Sequence, residues 1–180
     1  MKRELLPLMI LLLAAGCAAW RLWGEVPVPA DPAKAPAALD LPPVSPERAR
    51  AALFYSDLGP DAVDVSAYPE ERKREYEVYA RICSSCHGLA RSINAPYVGR
   101  AWWEFYIAGM RIRSHFHGRP LTKKEIRAVV DFLEFDSNER KVARAPEFEA
   151  RKAELKRRFE AALDERMRQL QKSAEPRLVR

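Results

Sequence analysis

The chain has 180 residues, of which 48% are hydrophobic and 31% are charged, with three cysteines and a formal net charge of +6 at pH 7. This length suits one ordinary domain with appendages, and the composition excludes a wholly disordered chain, a polytopic membrane protein and a disulfide-stapled scaffold. Because the basic excess lies in residues 138–180, where 13 Lys and Arg are mixed with 8 Asp and Glu, we expect no nucleic-acid partner.

Residues 1–23 have the pattern of an export signal, since basic residues flank an uncharged, leucine-rich run over 5–20. Two outcomes stay open. The sequence AAGC resembles the lipobox of bacterial lipoproteins, which would make Cys17 the lipidated mature N-terminus. Alternatively the segment remains uncleaved as a membrane anchor, with Trp20 and Trp23 at the interface. Either outcome tethers the protein to a bacterial cell membrane, with the rest of the chain on the periplasmic, exported side.

Residues 24–63 are predicted to form a Pro-rich linker, because seven prolines fall between 27 and 46. This composition buries no core and favours a semi-rigid, extended chain. Within it, residues 47–55 predict a helical turn or two, and Gly59-Pro60 marks a break.

Residues 64–138 contain the globular part, for which the pattern predicts three helices and no strand. Pro69, followed by two acidic residues, indicates the start of a helix that leads into residue 83. A second helix is expected over 101–110. A third begins at Thr122, whose hydroxyl can cap the helix with Glu125 as its capping-box partner. We therefore predict an all-α protein, in which a bound cofactor would help to stabilise a small helical domain.

Residues 83–87 (CSSCH) have the spacing of a c-type haem attachment site. Two thiols one helical turn apart can each form a thioether to one vinyl group of the same haem, and the adjacent imidazole can bind its iron. We therefore predict one covalent haem c, attached through Cys83 and Cys86, with His87 as an iron ligand.

Three other interpretations of the motif are weaker. A thioredoxin-type redox disulfide needs a βαβ context, which the pattern lacks. A zinc site of Cys83, Cys86, His115 and His117 would leave His87 idle and would use an unusually tight His-x-His spacing. A structural disulfide would strain a short loop.

The order of amphipathic helix, CSSCH, loop with proline, Trp helix ending in Met, and TKKEIRAVVDFL resembles a monohaem class I c-type cytochrome. The likeness covers residues 64–136 and is closer to compact bacterial versions. It implies an electron carrier that is not an enzyme, with Cys83 and Cys86 as thioether positions and His87 as proximal iron ligand. Pro96 matches the loop proline whose carbonyl accepts a hydrogen bond from that imidazole.

The sixth iron ligand is predicted to be Met110, which matches the family's methionine at the end of the Trp helix. Its position also places it on the same helix face as Trp103, Tyr106 and Ile107. The alternatives are His115 and His117, which flank a phenylalanine in an arginine-rich stretch expected to be a solvated loop.

Residues 139–180 are predicted to form a charged amphipathic helical tail, with a helix over 145–171. This helix could fold back on the haem domain, or it could dock on another protein or form a coiled coil. The apolar stripe comprises Leu155, Phe159, Leu163, Met167 and Leu170.

These features together predict a membrane-tethered cytochrome that carries electrons between a redox protein donor and acceptor in a respiratory or photosynthetic chain. The alternative is a fixed haem subunit of a larger oxidoreductase complex, docked through the C-terminal helix. A peroxidase-like haem with an open sixth position is a third interpretation.

Overall fold

The structure is a computed structural model that describes residues 41–174, so the predicted anchor over 1–23, with Cys17, lies outside the described residues. Every element in the described part is helical, which confirms the all-α class. None of the described helices is long and apolar enough to cross a membrane. The elements are α1 (Pro46–Ala51), a 3₁₀ turn (Tyr55–Leu58), α2 (Glu70–Cys83), α3 (Ala90–Ile93), α4 (Arg100–Phe116), α5 (Lys123–Ser137), a π-helical turn (Asn138–Val142) and α6 (Ala145–Ala174).

Local sequence signals define the starts of α2 and α5 as expected. Pro69 is the N-cap residue of α2 and two glutamates follow it in the first turn. At α5 the capping box forms in both directions. The Glu125 amide donates to Thr122 Oγ1 at 3.2 Å, and the Thr122 amide donates to Glu125 Oε2 at 3.0 Å.

Helix α4 is longer than the sequence predicted, because it continues past Met110 to Phe116. The prediction that His115 lies in a solvated loop is therefore wrong. The residues after Met110 are compatible with a helix, and the helix ends only where Gly118 adopts a φ of +70°. The extension makes the histidines at 115 and 117 part of one helix end, where they point in different directions.

Helices α2 and α4 both pack against α5, and their contact is the centre of the core. Tyr79, Trp103 and Phe132 are fully buried there, and the rings of Tyr79 and Phe132 are 5.0 Å apart. Trp103 Nε1 donates to Ser137 Oγ at 3.0 Å, so the indole is both buried and hydrogen-bonded.

Where α5 passes into the π-helical turn, a buried ion pair joins three parts of the chain. Asp136 is fully buried and accepts from Arg140 Nε at 2.6 Å and from Tyr68 Oη at 3.1 Å. A second Arg140 nitrogen, Nη2, donates to the Ile93 carbonyl at 3.0 Å. This network connects the segment before α2, the end of α3 and the start of the tail.

Helix α6 packs against residues 41–58, the first part of the chain that the structure describes. Leu155 is buried with Leu41, Ala52 and Leu58, and Phe159 packs at the edge of this cluster. Arg166 Nη2 donates to the Ala52 carbonyl at 2.8 Å. Residues 41–58, which the sequence assigned to the linker, thus cover this part of the tail. The remaining residues of the stripe are exposed: Leu163, Met167 and Leu170.

Candidate functional site

A cavity of about 640 Å³ lies between α2, α4 and α5, and the CSSCH segment forms part of its wall. This volume lies within the usual range for cofactor and small-molecule sites, roughly 300–1,000 Å³. Its lining is largely apolar and aromatic, and it includes Leu53, Tyr79, Ile82, Tyr106, Ile107, Pro120, Leu121, Val129 and Leu133.

Both cysteines of the motif line this cavity. Cys83 is the last residue of α2 and is half-buried, whereas Cys86 lies three residues further on and is exposed. The two are free thiols, so the structural disulfide considered above is not formed. Burial and the neighbouring Cys86 raise the pKa of the Cys83 thiol to about 12, which keeps it protonated at neutral pH. Ser85 Oγ donates to the Ile82 carbonyl at 2.7 Å and thereby fixes the turn between the cysteines.

The His87 ring also lines the cavity, and a backbone carbonyl determines which of its nitrogens is available. Nδ1 lies 2.8 Å from the Gly88 carbonyl oxygen. Because a carbonyl can only accept, Nδ1 carries the proton, and in the neutral imidazole Nε2 is then the nitrogen with the lone pair. A neutral imidazole in this tautomer is the form that binds a metal ion.

The three candidates for a sixth ligand are placed differently. Met110 lines the cavity from α4 and is half-buried. His117, at the C-terminal end of the same helix, also lines it. His115 is exposed, and the cavity wall does not include it. The structure thus brings Met110 and His117 together with Cys83, Cys86 and His87 and leaves His115 outside.

Pro96 is not brought to the site. It is exposed and does not line the cavity, and the carbonyl beside His87 Nδ1 belongs to Gly88. The position of the loop has a physical reason, since the neighbouring Asn94 is buried and its Nδ2 donates to the Pro60 carbonyl at 3.1 Å. The role assigned to Pro96 by resemblance therefore has no support in this geometry.

Four arginines and one acid, Glu125, line the cavity, and the arginines are Arg81, Arg91, Arg113 and Arg119. Arg81 pairs with Glu125 at 3.5 Å. Arg91 is held in place by Asp57, with Nε to Oδ1 at 2.8 Å and Nη2 to Oδ2 at 3.0 Å. Burial opposes the charge of Asp57, but the Arg91 guanidinium and two backbone amides more than offset this and lower its pKa. Such a rim suits a ligand with an apolar body and an anionic edge.

One polar atom in the cavity wall has no partner. Tyr106 Oη is buried and makes no hydrogen bond within the described residues, and burial raises its pKa. A buried hydroxyl without a partner is uncommon in a native protein and is often explained by a ligand or water. Tyr106 therefore marks a position where a bound group can complete the structure.

The described residues contain no cluster of three or more His, Cys, Asp or Glu side chains able to hold a metal ion. The zinc site of Cys83, Cys86, His115 and His117 is accordingly not formed. A haem needs only axial ligands from the protein, and His87 with Met110 or His117 would supply them.

Sequence reasoning missed several residues of this site. Arg91 was not predicted to be a cavity residue, nor was Leu53, which the sequence placed in the linker. The sequence shows no signal for either residue, because only the tertiary fold brings them to the cavity.

No protein-family model, curated protein or solved structure matches the chain. The proposed function therefore rests on the residues that line the cavity.

Proposed function

We propose that the protein is a membrane-tethered c-type cytochrome, which holds one covalent haem in the cavity between α2, α4 and α5 and transfers single electrons. The observation that carries this proposal is that Cys83, Cys86, His87 and Met110 line one cavity of cofactor size. These are two thiols, an imidazole and a thioether, the donor set of a haem with histidine and methionine axial ligands.

The residues present fit such a group in three respects. The wall is largely apolar, which keeps water from the iron and from the ring. Arg113 and Arg119 of the rim can pair with two propionates, and Tyr106 Oη is a buried polar atom with no hydrogen bond within the described residues. When bound, haem c supplies an iron that gains or loses one electron.

Each residue of this chain has a distinct part in the proposed site. The thiols of Cys83 and Cys86 would add across the two vinyl groups, so that no atom leaves and the haem cannot dissociate. His87 would bind the iron through Nε2, with its ring orientation held by the Gly88 carbonyl. Met110 would bind from the α4 side, and a thioether ligand raises the reduction potential relative to a second histidine.

Covalent haem is tested by denaturing electrophoresis of the full chain, produced in a bacterium that exports and matures c-type cytochromes. We expect a haem-stained band at the mass of the protein. Cys83→Ala/Cys86→Ala should abolish the stain, whereas Ser84→Ala, an exposed change inside the same motif, should retain it. An unstained wild-type band would end the cytochrome proposal.

The axial ligand is tested by the absorption spectrum of the oxidised protein. Met110→Ala should remove the sulfur-to-iron charge-transfer band and open the iron to small ligands such as cyanide. His115→Ala is the matched control, because His115 does not line the cavity. A wild-type spectrum for Met110→Ala, together with a changed spectrum for His117→Ala, would move the ligand to His117. An iron that binds peroxide without any substitution would favour the peroxidase-like interpretation.

A second candidate is a fixed haem subunit of a larger oxidoreductase complex, docked through α6. It is favoured by the exposure of Leu163, Met167 and Leu170 beyond the half of the stripe that residues 41–58 cover. Met167→Glu/Leu170→Glu should release the protein from such a complex while the haem stain is retained. If the protein purifies without partners and its electron-transfer rate is unchanged in this variant, the mobile carrier is the correct form.

A further inference from the structure

The outer face of α4, opposite the cavity, carries a large exposed apolar stripe. Trp102, Phe105, Ile112 and Phe116 are 57%, 75%, 57% and 83% exposed. Gly109 lies between them, and a side chain added there would meet nothing within 4 Å. Single exposed apolar residues are normal on a protein surface, but four on one face of one helix mark an interaction site.

The chemistry around this stripe is basic. On a helix, Arg111 and Arg113 fall on opposite flanks of the apolar face, since two residues correspond to a rotation of about 200°. The segment 100–124 has six Lys and Arg and a single acidic residue, Glu104. That carboxylate is already paired with Arg100, at 2.9 Å. Arg100 also binds Asp131 and Glu134 of α5, at 2.7 and 2.9 Å, so the excess of cations lies towards the other end of the stripe, at Arg111 and Arg113.

We propose that the outer face of α4, over Trp102–Phe116, binds the surface of an anionic lipid bilayer. Aromatic and aliphatic side chains bordered by arginines are the composition of helices that lie in the membrane interface. Phe105, Ile112 and Phe116 would enter the boundary of headgroups and acyl chains. Arg111 would keep its guanidinium group at the lipid phosphates, with its aliphatic stem along the apolar face.

An anchor at residues 1–23, on which this step rests and which belongs to the proposed function, would raise the effective concentration of this surface at the membrane, so that a weak contact becomes well populated. The charge and exposure of α4 do not depend on the anchor.

A second copy of this chain is a poorer occupant. A two-fold axis near Gly109 would bring the Arg111 and Arg113 side chains of both copies to one interface, and Glu104 is the only acid of the segment. Like charges at an interface without acidic partners disfavour association.

The test is hydroxyl-radical footprinting of the full chain, mixed with vesicles of phosphatidylcholine alone or of phosphatidylcholine with phosphatidylglycerol. We expect oxidation of Phe105 and Phe116 to fall several-fold in the anionic vesicles only, and to recover at high salt. Met167 on α6, which is 56% exposed, is the internal reference and should be oxidised equally in both. Haem absorbance in the same samples reports the proposed function separately, because the footprint requires no haem.

A charge variant keeps the test specific. Arg111→Gln, which leaves the cavity rim unchanged, should reduce the lipid-dependent protection, whereas Arg157→Gln on α6 should leave it intact. Equal oxidation of Phe105 and Phe116 in both kinds of vesicle overturns the proposal. Protection of Phe105 and Phe116 without vesicles overturns the proposal too. If that protection rises with protein concentration, a second copy of the chain covers the stripe. If it does not, another part of the same chain covers it.

Discussion

The buried pair of Asp136 and Arg140 offers the sharpest test of the packing. Arg140→Met removes the guanidinium donor from the fully buried Asp136 carboxylate. Of the two donors described above, only the Tyr68 hydroxyl then remains. Removing one partner of a buried ion pair costs about 3–5 kcal/mol, because an uncompensated charge stays in the interior. The Ile93 carbonyl also loses the donor at 3.0 Å, which adds about 1 kcal/mol. We expect a total loss of about 4–6 kcal/mol in the free energy of unfolding at pH 8.

The assay is urea unfolding followed by circular dichroism at pH 8. Asp136→Asn/Arg140→Met should recover part of the stability, since no charge remains buried. Arg157→Met is the matched control, because its pair with Glu154 is at the surface and such pairs contribute less than about 1 kcal/mol. If Arg140→Met costs no more than this control, the reasoning is refuted.

Three further changes test other parts of the fold, each by urea unfolding. Burial lowers the pKa of the Lys141 ammonium group to about 7, so the unfolded state binds its proton more strongly than the folded state does. Lys141 therefore makes the free energy of unfolding rise between about pH 7 and pH 10. Lys141→Met should flatten that rise, and an unaltered pH profile would contradict the reasoning. Leu155→Ala should cost about 2–5 kcal/mol, whereas Leu170→Ala on the exposed half of the stripe should cost far less; equal losses would mean that α6 is not held by residues 41–58. Gly59→Ala would place its Cβ about 2.4 Å from the Asn94 side chain, so it should lower stability by about 1–3 kcal/mol, and a neutral effect would show that this contact is looser than described.

Much of the local structure could be predicted from the sequence because its causes lie within a few residues. The Thr122 and Glu125 side chains are three positions apart and cap α5 by themselves, and Pro69 with its following acids starts α2 in the same way. The motif of residues 83–87 carries its own geometry, since a single helical turn sets the separation of the two thiols. Where a signal was weak, as at the end of α4, the prediction was wrong by six residues, because helix propensity alone did not show that Gly118 ends the helix.

The tertiary structure decided everything that depends on which distant segments meet. His115 and His117 are equivalent in the sequence, yet only His117 lines the cavity, because two residues rotate a side chain to the other side of a helix. Pro96 does not line the cavity, and the neighbouring Asn94 is held by a hydrogen bond from its Nδ2 to the Pro60 carbonyl. The order of residues in the sequence by itself determined that this chain favours helices, is rich in charge and contains a CSSCH motif. The packing of α2 and α4 on α5 determined which of its side chains share a cavity, because burial and long-range contacts are properties of the whole fold.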